Sequence, residues 1–211
     1  MPKKLIKMAC EYSISGHLEQ DCVPTAPGYN SKFYLCTWDS FQASVLAGEI
    51  SVTESADKLA HIVSFSSEAP TLKPLYLFED PRTAVFSGST KAKAETPMSI
   101  PYFTKSIQIG IDKNAHFGGS TTDGAIAESS KLINVIAAGR FVIFATRIDG
   151  KGVEAFGALS PLKATATDQS LASDDANSGM VTLTLECTEG DFATGVKETA
   201  DKLTAYVQGN Q

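Results

Sequence analysis

The 211-residue chain has no apolar run near the roughly 18 residues that a membrane-spanning helix needs. Its first residues also lack the apolar core of a secretory signal, so the expectation is a protein that stays in the compartment where it is made. Cysteine is sparse: Cys10, Cys22, Cys36 and Cys187 form no Cys-x-x-Cys pair, and only His17, His61 and His116 could join them. No metal-ligand spacing arises, and isolated, reduced thiols are expected. Basic charge is short too, with 18 Lys and Arg against 24 Asp and Glu for a net charge of −6. That balance argues against a dedicated nucleic-acid reader, which carries a cationic footprint. The small cationic groups, Lys3-Lys4 with Lys7 and Lys91 with Lys93, read as solvated ends and loops.

Catalytic motifs are missing as well. There is no Gly-x-x-x-x-Gly-Lys-Ser/Thr phosphate loop, no Gly-x-Ser-x-Gly elbow and no His-Glu-x-x-His helix. Gly118-Gly119-Ser120 precedes a helical pattern without the lysine of a phosphate cradle and reads as a turn. Asp168, Asp174, Asp175 and Asn177 fall in a polar stretch without the alternation of a calcium loop, and no glutamate closes it. Nothing there desolvates a carboxylate enough to make it an acid catalyst. His61 lies inside a strand pattern with no ligand partner at the required spacing. The chain is therefore expected to be no enzyme and to take no metal or cofactor.

What is present is a globular composition, 43% hydrophobic and 20% charged, ordinary for a single domain spanning residues 1–211. The clearest unit covers residues 106–159. In 106–111, Ile107, Ile109 and Ile111 share one face, the period of a half-buried strand. A helix is expected over 124–138, capped by Thr122 or Asp123, with Ile126, Ser130, Ile133, Ile136 and Ala137 on one stripe. Gly139 is read as its left-handed C-terminal cap. Phe141-Val142-Ile143-Phe144 is apolar on both faces, as a central strand is, and the turn at 149–152 folds it into a hairpin with 153–159.

Other strands are expected at 33–38, 49–53, 61–66 and 75–78, separated by turn residues, which makes the first half hairpin-rich and antiparallel. The single tryptophan, Trp38, is assigned to packing at the end of the first of these. A weak period at 4–11 suggests a strand or arm, and 21–32 reads as a loop. Val181, Leu183, Leu185 and Cys187 alternate with polar residues in a further strand. Val196, Ala200, Leu203 and Val207 have the spacing of a C-terminal helix over 192–208, with Thr194 as its cap. Two stretches poor in bulky apolar residues, 87–102 and 164–179, read as long loops. The first carries Lys91, Lys93, Glu95, Pro97 and Tyr102, which are the candidate contacts to another subunit.

The order of strand 107–111, helix 124–138, hairpin 141–159 and a late strand 181–187 after a polar loop resembles the tail tube proteins of bacteriophages and the tubes of related injection machines. The resemblance covers about half the chain and carries no invariant motif. It implies a mainly β domain, an antiparallel β-sandwich or partly closed barrel with one flanking helix and a C-terminal helix. It further implies a virion structural protein, assembled in the host cytoplasm into stacked, hexameric rings of a tail tube, with other tail proteins as partners. DNA would pass through the lumen without specific binding, and an acidic lumen would favour its sliding. A head-tail or tail-completion protein is a close variant of this reading. A different class is a β-sandwich decoration or binding module, for which Tyr76, Phe78, Tyr102 and Phe103 would have to be exposed and clustered.

Overall fold

The computed structural model describes residues 29–56, 60–79, 87–93, 102–112, 125–148, 152–169 and 180–208. In chain order these form β1 (Tyr29–Thr37), α1 (Trp38–Leu46), β2 (Ile50–Glu54), β3 (His61–Phe65), β4 (Leu75–Glu79), β5 (Ser87–Lys93) and β6 (Tyr102–Asp112). They continue with α2 (Ala125–Ala138), β7 (Phe141–Arg147), β8 (Val153–Phe156), β9 (Lys163–Gln169), β10 (Met180–Glu189), β11 (Thr194–Val196) and α3 (Ala200–Thr204). The fold is mainly β and sandwich-like. A curled seven-stranded sheet, in the order β2-β3-β11-β8-β7-β1-β4, faces a four-stranded sheet in the order β5-β6-β10-β9. The small sheet is antiparallel throughout, and the large one is mixed only because β11 runs parallel to β3.

Alternation along the strands explains why the large sheet is wrapped on both faces. Phe141, Ile143 and Ala145 of β7, with Phe33 and Leu35 of β1, point to one side. There they meet Ile107, Ile109 and Ile111 of β6, Leu183, Leu185 and Cys187 of β10, and Leu132 and Ile136 of α2. Val142 and Phe144, with Tyr34 and Cys36, point to the other side, against Phe41 of α1, Ile50, Val63, Phe65 and the C-terminal Leu203, Tyr206 and Val207. A strand with both faces in the core has to be apolar at every position, as residues 141–145 are. Burying side chains of this size contributes about 1.5–3 kcal/mol each.

Several local expectations are corrected. Within the two expected loops, residues 87–93 and 164–169 are not loop but belong to the two outer strands of the small sheet, held by β6 and β10 in spite of their small polar composition. Tyr29 to Lys32 belong to β1 rather than to a loop. Trp38 does not end β1 but opens α1, where the Thr37 hydroxyl oxygen accepts from Ser40 N at 3.3 Å and stops the strand. The buried face of α2 is Ser129, Leu132 and Ile136, whereas Ser130 and Ala137 are exposed. Gly139 is not left-handed; its need is space, since a Cβ there would lie 2.4 Å from the Phe141 ring. The C-terminal helix shortens to α3, because Thr194–Val196 is a strand inserted between β3 and β8 and Val207 bridges to Leu75. The segments 4–11 and 149–151, Thr122, Asp123, Asp174, Asp175 and Asn177 lie outside the described residues.

One corner joins the sheets. Beyond Phe156 the chain turns through Gly157, at φ 84°, and returns so that Leu162 exchanges backbone hydrogen bonds of 3.0 and 2.9 Å with Phe141. The next residue begins β9 in the opposite sheet. A single strand-to-strand excursion thus stitches the two layers at the start of β7.

Candidate functional site

The small sheet presents two features of interest, its outer face and its buried end. Residues opposite one another in a ladder share a face. The registers Lys105↔Cys187 and Ile107↔Leu185 put those residues inside, so Ser106↔Glu186, Gln108↔Thr184 and Gly110↔Thr182 lie outside. Ser89 opposite Ser106, Lys91 opposite Thr104 and Asp168 opposite Thr182 extend the same face onto β5 and β9. The result is a polar face built of serine, threonine and a few charges. Among the described residues no strand pairs with the outer edge of β5 or of β9.

Of the candidate contact residues, the sheet brings three together at one end. Lys93 is opposite Tyr102, which is 50% exposed and opens β6, and the exposed Lys91 stands two residues back along β5, opposite Thr104. Glu95 and Pro97 lie outside the described residues. The four aromatics do not cluster. Tyr76 and Phe78 are half-buried on β4, with Phe78 stacked on Phe33 at 5.4 Å, whereas Phe103 meets the exposed Phe192 at 5.7 Å at the other layer.

The buried end of this sheet holds charges. The core face of β6 runs from Ile111, Ile109 and Ile107 to Lys105, and that of β10 from Val181 through Cys187 to Glu189. Lys105 Nζ and Glu189 Oε2 meet at 2.6 Å with both side chains 0% exposed. Glu189 Oε1 accepts from the backbone N–H of Leu159 at 3.0 Å and of Ser160 at 3.4 Å, both in the corner after Gly157. Lys105 Nζ also lies 5.7 Å from the centroid of Phe156. Tyr29 packs its ring edge-on against Phe156 and donates its hydroxyl to Glu154, two residues along β8 on the same side.

Burial holds the Glu154 carboxyl above its ordinary range, aided by Glu189 and opposed by the Tyr29 hydrogen bond, Lys105 and Arg147. Burial, with the Glu154 carboxylate beside it, likewise raises the Tyr29 hydroxyl. The Cys187 thiol is pushed up to about 12, first by burial and then by the nearby Glu189, and burial alone takes Cys36 to about 12. Both cysteines are free thiols, and their protonated state makes them poor nucleophiles.

A pH dependence follows from Glu154. Its folded state holds the proton more tightly than the unfolded chain does, so its contribution to stability is full below the ordinary carboxylate pKa and is lost as pH rises through the raised value. Urea midpoints measured across that window are expected to fall with rising pH, and Glu154→Gln is expected to flatten this part of the profile.

His61 takes a structural role as the first residue of β3. Its Nδ1 lies 2.9 Å from Asp191 Oδ2 and its Nε2 3.9 Å from Glu54 Oε1, a clasp between strand ends. Among the described residues, no group of three or more His, Cys, Asp or Glu is placed to hold a metal ion. No described helix is long and apolar enough to cross a membrane. Sequence reasoning missed Lys105 and Glu189, although each continues a period-2 pattern by one step onto a core face. Comparisons with protein-family models, curated proteins and solved structures find no match to this chain.

Proposed function

We propose that the chain is a structural subunit that pairs with its own copies through the edges of the small sheet to build stacked rings, the tube of a phage-like tail. The observation that carries this reading is the four-stranded antiparallel sheet with a polar outer face and, among the described residues, an unpaired edge on each side. Open edges invite pairing, and soluble proteins shorten, cover or charge them. Here β5 and β9 are seven residues each, and both have exposed side chains. Pairing β5 of one copy with β9 of the next is a head-to-tail contact, which closes into a ring when the rotation permits. The Ser/Thr face would then line the lumen, with too few cations to bind DNA through counterion release. Six copies per ring, other tail proteins as neighbours and a place in the virion come from the resemblance. Lys91, Lys93 and Tyr102 belong in this reading to the lateral seam between copies, and no catalytic step is needed.

The test is microscopy of the purified protein together with light scattering. Rings or tubes of fixed diameter support the proposal, and a persistent monomer over a wide concentration range overturns it. Proline at Ala166 and, separately, at Thr167 sharpens the test. Along an antiparallel edge successive N–H groups alternate between the partner strand and the open side. One of the two variants therefore loses only an outward donor, and it is expected to keep its circular dichroism spectrum yet fail to assemble.

A further inference from the structure

The Lys105 and Glu189 pair has no part in an edge-to-edge assembly, and its geometry is unusual for an ion pair. Both side chains are fully buried, and the 2.6 Å contact is not aligned as a hydrogen bond: neither Nζ nor Oε2 has a hydrogen-bond partner among the described residues. An ion pair withdrawn from water is costly unless further hydrogen bonds satisfy both charges, and these two atoms have none. The other carboxylate oxygen is served very differently. Oε1 takes two backbone N–H donors, from Leu159 and Ser160, in a corner fixed by the Phe141 and Leu162 bridge. Two fixed backbone donors on one oxygen, with an amine beside the other, are the parts of an acyl-transfer site: an oxyanion hole, a leaving oxygen and a nucleophile.

We propose that Lys105 and Glu189 join in an intramolecular isopeptide bond that the folded chain forms on itself. A proton crosses from Nζ to Glu189, leaving an amine and a carboxylic acid. Nζ attacks Cδ, the charge that develops on Oε1 is held by the Leu159 and Ser160 amides, and a second proton passes from Nζ to Oε2. The Cδ–Oε2 bond breaks and Oε2 departs as water with both protons. The Nζ–Cδ bond remains as a neutral amide, so no oxidant, metal or cofactor enters the balance. Glu154, whose carboxyl feels both the Lys105 and the Glu189 charge, is the group assigned to relay the second proton. It stands on the side of β8 that carries Phe156, over which Nζ lies, and Tyr29 anchors it by a hydrogen bond. Its carboxyl is held above the ordinary range, as a proton donor requires. The product removes two buried charges and ties β6 covalently to its neighbour β10 on the core face of the small sheet.

Mass spectrometry of the denatured full-length protein, after incubation in its folded state, decides the matter. The expected mass is that of the sequence less one water, and proteolysis should release a branched peptide joining Lys105 to Glu189. Lys105→Arg and Glu189→Ala should each return the full mass. Glu154→Gln keeps both joined residues and the Tyr29 contact, so it should fold, as read by circular dichroism, yet accumulate the uncrosslinked form for longer. A wild-type protein that stays at full mass, with unbranched peptides covering both residues, overturns the proposal. Complete cross-linking in Glu154→Gln at the wild-type rate removes Glu154 from it.

Discussion

Gly157→Val is expected to destabilise the protein by about 3–5 kcal/mol, enough to remove much of a typical domain's stability. Two independent costs add at this position. The backbone sits at φ 84°, a region that a β-branched residue avoids and that costs on the order of 1–3 kcal/mol to hold. The new Cβ would also lie 2.7 Å from Phe141 O and 3.0 Å from both Leu162 N and Leu162 Cγ. None of these atoms can retreat cheaply. Phe141 and Leu162 are locked to each other by two backbone hydrogen bonds, and both are buried in the core between the sheets. Relief of the clash therefore has to break the bridge that carries the chain from one sheet to the other. Urea denaturation followed by tryptophan fluorescence reads the effect, and a loss of unfolding free energy under about 1 kcal/mol would show that the corner yields without cost. Gly48 supplies the control. It also has positive φ, at 74°, but a Cβ there meets nothing within 4 Å, so Gly48→Ala should show the backbone cost alone.

The contrast between these glycines also explains what was legible in the sequence. Gly157 lies in a run, Phe156-Gly157-Ala158-Leu159, that reads as the end of a strand, and only the return of Leu162 to Phe141 reveals a corner. Strands whose alternation reports a half-buried face were readable, as at Ile107, Ile109 and Ile111 and at Val181 to Cys187, because burial is imposed residue by residue. The doubly buried β7 was readable for the same reason. The outer strands β5 and β9 were not: Ser87-Gly88-Ser89 and Ala164-Thr165-Ala166-Thr167 carry no large apolar residue, and their extended form is imposed by distant partners. The helix α1 was hidden because Phe33 to Trp38 continues one aromatic-rich run across the cap at Thr37. The C-terminal spacing of Val196, Ala200, Leu203 and Val207 suits a helix, yet a strand, a short helix and a bridge place these residues instead, with Leu203 and Val207 buried and Val196 and Ala200 half-buried. The candidate contact residues Lys91 and Lys93 lie on β5 and Tyr102 opens the adjacent β6, so they belong to a paired sheet end rather than to a free arm, a placement their small and polar neighbours did not signal.

Lys105 shows how a core position escapes notice when its charge contradicts its register, and it also supplies the sharpest energetic test. Lys105→Met is expected to cost about 3–5 kcal/mol, because it leaves the Glu189 carboxylate buried with only the Leu159 and Ser160 amides to face it. The informative comparison is with the double variant in which Met replaces both Lys105 and Glu189. If the two residues formed nothing more than an ion pair, apolar replacement of both would be neutral or stabilising by about 1–4 kcal/mol, because the desolvation of two charges disappears with them. A covalent tie behaves differently. Closing a long loop between β6 and β10 restricts the unfolded chain by on the order of 4 kcal/mol in the entropic account of cross-links, and no side-chain packing restores that restriction. With the amide in place, the double variant is therefore expected to recover the cost of the orphaned carboxylate but to remain less stable than the wild type. Full recovery would leave the pair as an ion pair alone. Because the difference arises in the unfolded state, it should appear as a larger denaturant slope in both variants than in the cross-linked wild type, since the untied chain exposes more surface when it unfolds.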